Sequence, residues 1–311
     1  MAACGGVSVS HLAIKYIQVQ GSSICDGKCK ICPYSQSPVA KMKRTMSMSE
    51  FRLVLEKIYE HVKEPQLFCP YLMSDPIYDK LLFERIPVIY EFFPNTLLEI
   101  STSMSAHGPD YYKELVDILE GKRVRFIISL HGINEETYKA ISSRNFKEIV
   151  ERVVSFLKIA DGKLTCIRFA GLGQSRDGAI KLFTPQEYFN FIYELVRKAN
   201  LKFVSNIQPY SHSFHNRAGL VKWQNQIEFR RHIDAFHPHF CCRPYEWLHV
   251  LADGRVISCC MNYALDQVWG NLFEQSLEEI WSGEKRKSYI LKQLGLEKGE
   301  IPCKYCMSPG G

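Results

Sequence analysis

The sequence is short of several features that would have narrowed its function at once. No apolar run approaches the roughly 18 residues of a membrane span. The stretch Met1 to Gln20 has neither a basic region leading a long apolar core nor a small-residue cleavage site. Export and membrane insertion are therefore not expected, and the expected compartment is the cytoplasm. Lys and Arg outnumber Asp and Glu by only 39 to 33 and form no run of five, so no nucleic-acid footprint is expected. The ten histidines include no H-x3-H pair and read as packing or hydrogen-bonding residues. What remains is an ordinary globular composition, 46% hydrophobic and 23% charged over 311 residues, enough for one large or two ordinary domains.

Cysteine is abundant, with 12 in the chain. In an unexported protein thiols stay reduced, which argues for metal ligation over disulfides. Three of them crowd into Cys25-Asp-Gly-Lys-Cys29-Lys-Ile-Cys32, followed by Pro33 and Tyr34. A tight loop containing Gly27 brings their sulfurs around one centre. Thiolate sulfur selects iron–sulfur clusters, zinc or copper(I). A cubane cluster has four irons, each wanting an outer ligand, so three cysteines leave one iron open.

C-x3-C-x2-C after an amino-terminal strand, with apolar Ile31 before the third cysteine, resembles the signature of the radical S-adenosylmethionine (SAM) enzymes. The resemblance implies that SAM chelates the open iron and that its reductive cleavage yields a 5'-deoxyadenosyl radical that abstracts hydrogen. A flavodoxin- or ferredoxin-like protein would supply the electron. The alternative reading of the thiols is zinc.

Along the chain, residues 11 to 20 read as a first strand. Ser47 and Glu50 form a capping box for a helix reaching about Val62. Leu67 to Leu72 reads as a second strand, ending in Ser74-Asp75-Pro76 where the family usually has Gly-Glu-Pro, the loop that receives the amino group of SAM. Leu97 to Ser101 is a third strand, and Pro109 opens a helix that ends near Gly121. Val124 to Ser129 is a fourth strand, whose end resembles the family's SAM-approaching serine. Asn145 to Ile159 reads as helix and Lys163 to Phe169 as a fifth strand. Thr184-Pro-Gln-Glu187 is a second capping box, and Leu201 to Ile207 a sixth strand. Strand and helix alternating with short connections predict a parallel sheet of right-handed βαβ units. The expected fold is α/β, a partial (β/α)6 TIM-like barrel over residues 1–230, with reacting groups at the carboxyl ends of the strands. The cysteine loop, Asp75, Ser101 and Ser129 all fall there. For SAM the resemblance further implies main chain from Ile31 and Tyr34, Ser74 or Asp75, Ser129, and Arg144 or Arg168 for the carboxylate.

After Asn216-Arg-Ala-Gly219 the pattern changes. Asp253-Gly254 between two alternating runs signals a hairpin that can bring Cys241 or Cys242 near Cys259 or Cys260, and Cys303-Lys-Tyr-Cys306 completes four ligands. This stretch resembles the SPASM and twitch extensions of radical SAM enzymes, which carry auxiliary 4Fe-4S clusters. Too few cysteines remain for two such clusters, so a single-cluster twitch domain of hairpin and helices is expected over 231–311. Spacing to Pro244 and to Gly254 favours Cys241 and Cys259 as ligands within the doublets. Cys242 and Cys260 are then candidate catalytic thiols, able to donate a hydrogen atom to a substrate radical. Cys4, Cys69 and Cys166 read as buried small hydrophobes. The expected activity is hydrogen abstraction from a carbon of a polar substrate, carbohydrate or aminoglycoside-like or peptide, giving epimerisation or dehydrogenation. The alternative is a zinc-stabilised, non-catalytic binding module on a degenerate barrel.

Overall fold

The computed structural model describes residues 12–175, 181–214, 216–221 and 241–306. Cys4 and the expected domain boundary at 230 lie outside them. Six strands, β1 (Tyr16–Val19), β2 (Leu67–Cys69), β3 (Leu97–Thr102), β4 (Val124–Ser129), β5 (Ile167–Ser175) and β6 (Ile207–Phe214), pair in chain order and all in parallel. On the other side of β1 the sheet continues: β7 (Trp247–Val250) runs parallel to it, and β8 (Arg255–Ile257) and β9 (Val268–Asn271) follow antiparallel. One nine-stranded sheet results, in the order β6-β5-β4-β3-β2-β1-β7-β8-β9, with β6 and β9 as its edges. The expected partial barrel is thus present and unclosed, and the cysteine-rich hairpin is an extension of its sheet.

Helices make the crossovers. Helices α1 (Pro38–Met42) and α2 (Met48–Tyr59) link β1 to β2, α3 (Leu82–Phe92) links β2 to β3, and α4 (Pro109–Leu119) links β3 to β4. Helices α5 (Glu135–Ile141) and α6 (Phe146–Ala160) lead to β5, and α7 (Pro185–Ala199) to β6. Local chemistry fixes their starts: both expected capping boxes form, Ser47 with Glu50 and Thr184 with Glu187, and Asn145 caps α6. The strands sort their side chains by alternation. On β3, Leu98 and Ile100 enter the core while Glu99 and Ser101 face the other side, half-buried. That second face is polar: Glu99 accepts from Tyr71 Oη at 2.7 Å and from Arg125 Nε at 2.6 Å, and Arg168 Nε donates to Gln208 Oε1 at 3.1 Å.

The first two strands are shorter than expected, Tyr16–Val19 within residues 11 to 20 and Leu67–Cys69 within Leu67 to Leu72, and two later strands are displaced. The fifth begins at Ile167 rather than Lys163, and the sixth at Ile207 rather than Leu201. Asn200 ends α7 in a left-handed conformation, and the next amides, Lys202 and Phe203, donate to the Asp161 carboxylate. The apolar Phe203 and Val204 are therefore loop residues, 56% and 50% exposed. Helix α3 went unread, its pattern interrupted by Pro87.

The carboxyl end of β1 rests on a buried ion pair. Arg85 donates to Asp79 Oδ2 at 2.7 Å and to the carbonyls of Gly21 and Met46, both charged side chains being at most 1% exposed. A Cβ at Gly21 would stand 2.1 Å from Asp79 Oδ2, so only glycine fits. Arg85→Met strands a buried carboxylate and is expected to cost about 3–5 kcal/mol, measurable as a drop in the urea midpoint. His249 on β7 is fully buried with no hydrogen-bond partner for either ring nitrogen among the described residues. Burial, with Arg243 nearby, lowers its pKa to about 3. The unfolded chain, with the ordinary His value near 6.5, binds the proton first, so this contribution is complete above pH 6.5 and is lost as pH falls toward 3. Between pH 8 and pH 5 the loss is about 2 kcal/mol, and urea unfolding of His249→Met should show a correspondingly flatter pH dependence.

Candidate active site

The loop that leaves β1 carries Cys25, Cys29 and Cys32 to one cleft of about 200 Å³. Each thiol has one polar neighbour of its own. The Gly27 amide donates to Cys25 Sγ at 3.2 Å, Arg144 Nη1 donates to Cys29 Sγ at 3.7 Å, and Cys32 Sγ lies 3.6 Å from the Tyr263 hydroxyl. Arg144 is itself clamped by Asp26 of the same loop through Nε and Nη2. A Cβ at Gly27 would come within 3.0 Å of Arg144 Nη2 and 3.1 Å of Cys25 Sγ. Burial pushes the free Cys25 thiol up to about 12, and raises Cys29 against the opposing pull of Arg144, so ligation must displace protons. Among the described residues no three His, Cys, Asp or Glu side chains converge closely enough to hold a single ion. Thiols lining one cleft, each met by a hydrogen-bonding group, fit a cluster whose irons each take one thiolate.

The same cleft is lined by Ile31, Ser74, Asp75, Ser101, Ser129 and Arg144, so the structure brings most of the expected cofactor residues beside the thiols. Ser101 and Ser129 hydroxyls stand 3.4 Å apart across β3 and β4. Asp75 is buried, and its carboxylate accepts from the Ser103 amide and hydroxyl at 3.0 and 2.8 Å and from the Ile77 amide at 3.4 Å. Burial raises its pKa against those donors. Its side chain thus caps the turn at Pro76 and ties β2 to the end of β3. Two expected residues stand apart. The Tyr34 hydroxyl donates to the Ser23 carbonyl at 2.7 Å and accepts from the Cys25 amide, bracing the loop from behind. Arg168 lies on the polar sheet face, paired with Gln208. Ser103 and His131 also line the cleft, at the ends of the third and fourth strands whose runs resemble the family's, although neither is among the expected site residues; Tyr138 and Arg217 line it too and had no signal in the sequence.

A second cavity gathers Cys241, Cys259, Cys303 and Cys306 with Arg243, Pro244 and Met261. The Met261 amide donates to Cys259 Sγ at 3.2 Å, and the Tyr289 hydroxyl lies 3.1 Å from Cys303 Sγ. The other doublet members diverge. Cys260 packs against the apolar cluster that also touches Cys25 and Cys32, and its pKa is lowered by a hydrogen bond with Cys259 and by Arg243 and Arg217. Cys242 precedes α8 (Arg243–Glu246) at the amino end of β7, beside the Lys15–Glu246 ion pair.

Residues 241–307 match the SPASM family, described as an iron–sulfur cluster-binding domain. The carboxyl-terminal segment is thus similar to the SPASM domains, the group of extensions that its cysteine spacing resembles. Solved structures extend the likeness to the whole fold. BtrN in complex with AdoMet and 2-DOIA is similar at TM-score 0.58 and 17% identity, covering 95% of this chain and 93% of that one. Streptococcus suis SuiB bound to precursor peptide SuiA gives 0.63 and 11%, covering 94% and 69%. The anSMEcpe protein with bound AdoMet gives 0.57 and 15%, covering 94% and 82%. No curated protein matches by sequence. The fold likeness and the SPASM match agree with the resemblance to the radical SAM enzymes carried by the cysteine loop, and the description of the SPASM model fits an iron–sulfur cluster at the carboxyl-terminal cysteines. Gly27→Val, which crowds Cys25 and Arg144, is expected to reduce iron at the amino-terminal site and leave the SPASM site loaded, about four irons in place of eight, read by iron and sulfide analysis after anaerobic reconstitution.

Proposed function

We propose that the protein cleaves SAM reductively and uses the resulting radical to take a hydrogen atom from a carbon of a polar substrate. The observation that carries this reading is the cleft at the carboxyl ends of the parallel strands, where three thiols and the hydroxyls of Ser74, Ser101 and Ser129 meet. In this reading residues 1–230 belong to the barrel domain and 231–311 to the SPASM or twitch domain. Cys25, Cys29 and Cys32 would hold three irons of one cluster, and Cys241, Cys259, Cys303 and Cys306 all four of another. When bound, the first cluster supplies the electron that breaks the sulfonium, and the protein supplies position and exclusion of water. The backbone at Ile31 and the side chains of Ser74, Ser101 and Ser129, which line the cleft, would orient SAM. Asp75 holds the loop that carries Ser74, and Arg144, spent on Asp26 and Cys29, stiffens the cysteine loop.

The polar sheet face bearing Glu99, Arg125, Arg168, Gln208 and Tyr71 favours a hydrogen-bonding substrate, which agrees with the 2-DOIA named for BtrN and the peptide named for SuiB. Between the two outcomes for the substrate radical, Cys260 supports epimerisation, being the leftover thiol that packs against the same apolar cluster as Cys25 and Cys32. A filled SPASM cluster, with no open iron, supports dehydrogenation by accepting an electron. A flavodoxin- or ferredoxin-like protein would be the reductant. No helix among the described residues is long and apolar enough to cross a membrane, and the cytoplasm remains the proposed compartment.

With dithionite and SAM, the reconstituted protein is expected to bind about eight irons and release 5'-deoxyadenosine and methionine. Cys25→Ala, Cys29→Ala or Cys32→Ala should abolish cleavage while retaining the SPASM iron. Zinc in place of iron, with no deoxyadenosine, would return the binding-module reading. In D2O, deuterium incorporated into the product and lost in Cys260→Ala marks epimerisation; a product lighter by two hydrogens marks dehydrogenation.

A further inference from the structure

The two thiol sites meet at one short turn. Cys259, a thiol of the SPASM site, is followed by Cys260, Met261, Asn262 and Tyr263, and the turn is closed by the Asn262 amide on the Cys259 carbonyl at 3.0 Å and the Met261 amide on Cys259 Sγ at 3.2 Å. Four residues on from Cys259, Tyr263 reaches the other site. Its hydroxyl stands 3.6 Å from Cys32 Sγ, its carbonyl accepts from Ser37 Oγ next to the cysteine loop, and its ring is 6% exposed in an apolar cluster with Tyr34, Leu72 and Ile257. A buried tyrosine hydroxyl needs a partner, and among the described residues the hydrogen bond it makes is with Cys32. As a free thiol, Cys32 can donate to the hydroxyl oxygen. As a thiolate ligand it can only accept, and the tyrosine becomes the donor.

We propose that Tyr263 is a positioning residue of the SPASM domain that tunes the amino-terminal cluster by donating a hydrogen bond to the sulfur of Cys32. This rests on the proposed cluster at Cys25, Cys29 and Cys32. A donor at a ligating sulfur stabilises the more negative, reduced cluster over the oxidised one and so raises its potential. The SPASM domain thereby adjusts how readily the SAM-cleaving centre takes its electron, and it does so through a turn whose other end is anchored at its own cluster.

The test is an EPR-monitored redox titration of the reconstituted protein, following the signal that changes when SAM is added. In Tyr263→Phe, with iron content and melting temperature unchanged, the midpoint of that signal should move to more negative potential while the auxiliary signal stays. Incorporating 3-fluorotyrosine at position 263 keeps the volume and sharpens the donor, so the same midpoint should move the opposite way. This second protein decides the matter if Tyr263→Phe fails to assemble. Midpoints unmoved in both would overturn the proposal while leaving the SAM reading intact. Wild-type protein with iron at the SPASM site alone, and no SAM-responsive signal, would overturn both.

Discussion

The structure depends on the parallel pairing of β1 with two neighbours at once, β2 on one side and β7 on the other. Parallel strands put all their carboxyl ends on one rim, so the cysteine loop after β1, the Ser74–Asp75 turn after β2, and the ends of β3 and β4 are brought together by hydrogen-bond register alone. The pairing with β7 draws the SPASM hairpin into the same sheet. Had that hairpin packed as a separate layer, Tyr263 could not reach Cys32.

Rigidity at the rim comes from polar groups removed from water. Arg85 and Asp79 are paired beneath Gly21, Asp75 is saturated by Ser103 and Ile77, and Arg144 is shared between Asp26 and Cys29. Each charge out of water is costly unless its partners are in place, so these groups hold the loops to few arrangements. The thiols benefit: their hydrogen-bonding neighbours are a backbone amide, a clamped guanidinium and a buried phenol, each held in place.

Much of this was legible in the sequence, and the reasons differ by element. Capping boxes at Ser47 and Thr184 are local chemistry, and both formed. Strand β4 was read to the residue because Val124 to Ser129 combines branched side chains with clear ends. The sixth strand was displaced because Leu201 to Val204 carries the apolar signal, while the true strand contains Gln208, Pro209, Ser211 and Ser213 on an edge. Thiol spacing named the residues that line the two cavities. It could not show that Arg144 is occupied by Asp26, nor that Tyr34 braces the loop from behind, since both depend on which side chains lie across from one another. Tyr263 had no signal at all: its relation to Cys32 spans 231 residues.

The unclosed sheet, with β6 and β9 as its free margins, has a bearing on what can be accommodated. In a full eight-stranded ring the lumen is packed solid by inward side chains. An arc that stops short of its own beginning has no such fixed bore. The bounds of the thiol-lined cleft are therefore set by the loops at the strand ends and not by the circumference of a closed barrel.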